Sequence, residues 1–71
     1  MEEKFNVHIE FSSGDRMVER DKSLPQVQSA VQRLTRGPAA MGGLIKEVRV
    51  VDMFDRMVFH SLNNKILFPK R

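Results

Sequence analysis

The sequence predicts an α+β fold, an antiparallel sheet of four to five strands with one helix packed on one face, in the order ββαββ(β) and as a single α+β domain over residues 1–71. Three observations predict it. Apolar and polar residues alternate near the N-terminus, a central segment places its apolar residues at helical spacing, and β-branched runs broken by turn residues fill the remainder.

Phe5, Val7, Ile9 and Phe11 alternate with Asn6, His8 and Glu10, the period of a half-buried strand. Ser12-Ser13-Gly14-Asp15 supplies a turn, and Arg16 to Arg20 returns as a second strand around Met17 and Val18. Ser23-Leu24-Pro25-Gln26 starts a helix, with Ser23 as the cap, Gln26 completing a capping box and Pro25 in the first turn. Leu24, Val27, Ala30, Val31 and Leu34 form its apolar stripe, and Gly37-Pro38 ends it. Residues 38–43, small and glycine-rich, are expected to be a connector. A phosphate cradle is disfavoured there because a strand, not a helix, follows.

Ile45, Val48, Val50 and Val51 mark a strand over 44–52, and Met57 to Ser61 returns after a tip at Met53-Phe54. Leu62-Asn63-Asn64-Lys65 has the side chains of a tight turn, so Ile66-Leu67-Phe68 is expected as a short last strand stopped by Pro69.

A 71-residue chain has room for only a thin core, which weighs against a deep catalytic pocket. It has no cysteine, and hence no disulfide framework, thiol nucleophile or thiolate metal site. The acidic N-terminus without an apolar run matches no targeting signal, and no segment is long enough to span a membrane, so a cytoplasmic protein is expected. The net charge of +3 is unevenly spread: residues 1–32 carry −2 and residues 33–71 carry +5. Such asymmetry suits phosphates or an acidic protein as partner, and it equally suits lysines and arginines that solubilise sheet edges.

Asp52-Met53-Phe54-Asp55-Arg56 is the most informative stretch, because two large apolar side chains stand where a hairpin needs polar turn residues. Held at the tip, they serve docking better than a core; a bulge that turned one of them inward would remove the site. Ile45, Val51 and Met53 share one parity, with Glu47 and Arg49 among them, so the sheet face away from the helix is expected to be apolar and charged. The partner-binding set is therefore Met53, Phe54, Arg49, Arg56, Asp55, Val51 and Ile45.

His8 and His60 are the only imidazoles, both on expected strands, and neither their spacing nor their neighbours form a metal or catalytic pattern. No cofactor, metal or catalytic residue is assigned, and no enzyme is expected. The alternative to protein binding is a small basic nucleic-acid-binding protein that uses Arg33, Arg36, Lys46, Lys65, Lys70 and Arg71. Tyr and Trp are absent and Phe54 is the one spare ring, so that alternative rests on charge.

Short, cysteine-free, single-domain and without a catalytic signature, the chain as a whole resembles the small orphan proteins that bacterial viruses make to target their hosts. The resemblance lies in overall character and carries no residue over. It implies a viral-type inhibitor or adaptor that occludes a functional surface of a host protein. A homodimer, through the uncovered sheet face or an edge strand, is expected in preference to a monomer.

Overall fold

A computed structural model of the chain describes residues 3–68. The strands are β1 (Phe5–Phe11), β2 (Arg16–Lys22), β3 (Ile45–Asp52), β4 (Met57–Leu62) and β5 (Lys65–Phe68). The helices are α1 (Leu24–Arg36) and α2 (Pro38–Met41). The sheet order is β2-β1-β3-β4-β5, with every neighbouring pair antiparallel. The expected α+β fold with an antiparallel sheet is therefore present, and the optional fifth strand forms.

Helix α1 begins as its sequence requires. The Gln26 side-chain oxygen accepts a hydrogen bond from the Ser23 backbone N–H at 2.9 Å, and Pro25 sits in the first turn. At its other end Gly37 is extended, with its N–H donating to the Arg33 carbonyl at 2.9 Å; a Cβ there would collide with that same oxygen. Residues 38–43 depart from the expected plain connector. Pro38 presets a helical φ, and one turn forms as α2, which buries Ala40.

Val27, Ala30 and Leu34 of α1 join Phe5, Val7 and Ile9 of β1 and Ile45, Val48 and Val50 of β3 in one hydrophobic cluster. Val7 and Val50 face each other across the β1–β3 ladder, and Ile9 faces Val48, so the core sits over the two central strands. Burying each of these aliphatic side chains contributes about 1.5–3 kcal/mol.

Bulges decide which side chains reach that core. Glu10 pairs with Glu47 but Phe11 pairs with Ile45, so Lys46 is an extra residue in β3. It reverses the alternation, and Ile45 turns into the core. Its expected place on the partner-binding face beside Val51 is thereby corrected: Ile45 is buried. Likewise Val50 pairs with Phe59 while Val51 pairs with Met57, which makes Val58 the extra residue of β4 and sends Met57 and Phe59 to different faces. The chain's failure to alternate at Met57-Val58-Phe59 has this cause.

The β4–β5 turn uses Asn63 and Asn64, both at positive φ (50° and 64°), the conformation that two-residue hairpin turns demand. None of the described helices is long and apolar enough to cross a membrane. Pro69, Lys70 and Arg71 lie outside the described residues.

Candidate functional site

The β3–β4 hairpin tip is built around one carboxylate. Asp52 closes β3 opposite Phe5 and is 5% exposed. Its Oδ1 accepts hydrogen bonds from the backbone N–H groups of Phe54 and Arg56, each at 2.9 Å, and its Oδ2 accepts one from the Arg56 Nε at 3.0 Å. The Asp55 N–H donates to the Asp52 carbonyl at 3.0 Å, and the Asp52 N–H donates to the Arg56 carbonyl at 2.9 Å. Asp55 takes a positive φ of 63°, which aspartate tolerates better than most residues. The five-residue turn is thus bonded at both ends and through its middle.

The Arg56 N–H beside Asp52 does most to hold its carboxyl below the ordinary value of 3.8. Burial opposes that effect, and the Phe54 N–H and the Arg56 guanidinium reinforce it. Asp52 is consequently an anion that organises the loop, as its position before a turn suggested.

With the backbone fixed in this way, Met53 and Phe54 point away from the core and are 51% and 70% exposed. The Arg56 guanidinium lies over the Phe54 ring, 5.2 Å from its centroid, a contact worth about 0.5–1 kcal/mol at an exposed site. That contact favours one orientation of the exposed Phe54 ring.

Behind the tip, the sheet face that carries Asn6, His8 and Glu10 is mixed apolar and charged. Val51 pairs across with Met57, and Arg49 stands between His8 and His60 on neighbouring strands. The His60 Nε2 lies 2.7 Å from the Glu47 carboxylate, Glu47 approaches Arg49 at 4.0 Å, and Glu10 meets Lys46 at 3.5 Å. Arg49 and Val51 are thus on one face of the sheet, and Ile45 is not. Arg56 is bound to Asp52 and Phe54 and acts as a brace. Met57 and His60 belong to this face and were missed from sequence; the pairing of β4 with Val51 and Arg49 is the signal that finds them.

The two histidines are separated by β3 and do not meet. Among the described residues, no three His, Asp or Glu side chains come together as a metal site. Among the described residues, the cations proposed for nucleic acid stand on three elements, α1, β3 and β5. Arg33 on α1 pairs with Glu19 at 3.2 Å, Lys46 pairs with Glu10, Arg36 ends α1 and Lys65 begins β5.

The opposite face holds a feature that sequence reasoning missed entirely. An open groove of about 600 Å³ is lined by Leu24 and Val31 of α1, Val58 and Phe59 of β4 and Ile66 of β5. Leu24, expected on the buried stripe, is half exposed on its rim. Compared with known protein families, with curated protein sequences and with solved structures, the chain has no match.

Proposed function

We propose that this protein is a non-enzymatic protein-binding module of the viral-inhibitor type, which occludes a functional surface of a host protein in the cytoplasm. Met53 and Phe54 fill apolar recesses on the partner, while Asp55, Arg56 and Arg49 set orientation and Val51 with Met57 extends the contact along the sheet. We take α1 to cover only the face that carries Phe5, Val7 and Ile9, which leaves the face behind the tip free for the partner. The observation that carries the proposal is the braced tip: a buried carboxylate accepting three hydrogen bonds in order to hold two large apolar side chains in water. A core has no use for that arrangement, and an interface centre of Met and aromatic anchors ringed by charge has one.

Replacing Met53 and Phe54 together with Ser tests it. The double variant keeps the circular dichroism spectrum and melting temperature of the wild type, because both side chains are more than half exposed. It loses the partner that immobilised wild-type protein captures from nuclease-treated host lysate. Capture that persists in the double variant, or that vanishes with nuclease from the wild type, rejects the proposal.

A further inference from the structure

Among the described residues, β5 has a hydrogen-bonded strand on one side only, and its Ile66, Leu67 and Phe68 are 58%, 42% and 44% exposed. An apolar edge of this kind is a template for another strand, and proteins ordinarily blunt it with charge or a bulge. Both edges carry a register irregularity, in β5 at Leu67, since His60 pairs with Phe68 and Ser61 with Ile66, and what separates the two edges is charge. Five of the seven residues of β2 are charged, and its pairing with β1 is interrupted at Arg20-Asp21, where Asp21 takes a φ of 57°.

From this asymmetry we propose that β5 is a self-association edge. Two copies join β5 to β5, antiparallel about a twofold axis perpendicular to the sheet, and form one ten-stranded sheet. A second copy suits the edge for reasons of closure and charge. Isologous pairing consumes both apolar edges and leaves only the charged β2 strands outermost, so assembly stops at two and does not run on into a fibre. Lys65 is the one charge in β5, at its turn end. With Leu67 opposite its own copy across the twofold, antiparallel pairing staggers the two ammonium groups roughly 14 Å apart at ~3.4 Å per residue, where salt screens them; parallel pairing would set them side by side. A four-residue ladder buries less than the ~1,200 Å² of a standard interface, so the dimer is weak and concentration-dependent. The twofold reverses strand direction, which places the two Met53-Phe54 tips at opposite ends of the sheet and makes the pair bivalent.

The inference does not depend on the tip, and the Met53/Phe54 double variant is expected to dimerise like the wild type. Sedimentation equilibrium of the full chain reads it directly. The mass rises from 8.2 kDa towards twice that value as concentration increases from ~10 µM to ~1 mM. Leu67→Lys on β5 abolishes the rise, and Val18→Lys on β2 leaves it unchanged. The cysteine-free chain permits a second measurement that requires no loss of stability: under mild oxidation L67C cross-links to a covalent dimer and V18C does not. A mass that stays at one chain up to ~1 mM overturns the proposal. So does association that survives Leu67→Lys, or cross-linking through V18C in preference to L67C.

Discussion

Asp52 is the residue on which the tip depends, and its chemistry gives the tip a pH dependence of definite sign. Its carboxyl is held below 3.8 by groups it meets only in the folded chain. The ionised form therefore stabilises the fold in full above that ordinary value, and the stabilisation is lost as pH falls through the lower, folded value. Asp52→Asn removes the anion that binds the Arg56 guanidinium. The variant should melt below the wild type at neutral pH, and the gap should narrow as thermal melts are carried below 3.8; a constant gap would mean that Asp52 acts through shape alone. Met53 and Phe54 answer to a different measurement, since their loss is expected to remove capture and leave melting intact. The residues of the tip were legible in the sequence because Asp, Met, Phe, Asp and Arg are chemically conspicuous in a turn. Their exposure was not, because it depends on which oxygen of Asp52 meets which amide, and that contact exists only after the hairpin closes.

Among the elements, α1 was the most legible: its cap, its stripe and its stop are all local signals that act within a few residues. The strands were legible in existence and not in register. Lys46 in β3 and Val58 in β4 are bulge residues, and nothing in their identity announces it. A bulge answers to the partner strand, whose own side chains must reach the core. Its consequence can be measured at Ile45 and Val51, which share a parity and were expected on one face. Ile45→Ala should cost about 2–4 kcal/mol in urea unfolding, as truncation of a buried aliphatic side chain does. Val51→Ala, on the half-buried face, should cost under about 1 kcal/mol and weaken partner capture instead. Equal losses of stability would place both residues in the core and contradict the bulge. The short α2 was missed for a simpler reason, since a turn of four residues offers too few positions for periodicity to show.

At the scale of the whole molecule, charge and apolar surface are distributed in ways that composition does not convey. Among the described residues of the basic second half of the chain, Arg33 is paired with Glu19 and Lys46 with Glu10 across elements distant in sequence. The protein is therefore expected to be held weakly on a nucleic-acid column at low salt and released by ~0.15 M, a shallow dependence that few phosphate contacts produce. Retention that declines steeply over that range and persists after nuclease treatment of the preparation would favour the nucleic-acid alternative. The sequence by itself determined the α+β class, the strand and helix order, the capped helix and the unusual tip, because each is written in propensity, periodicity or turn chemistry over a few neighbouring residues. Only the tertiary structure decided the sheet order, the burial of Ile45, the groove left beside α1 and the contrast between a charged and an apolar edge. Those depend on which strands become neighbours and how far one short helix reaches across five of them, and both are settled by packing between segments remote in the chain.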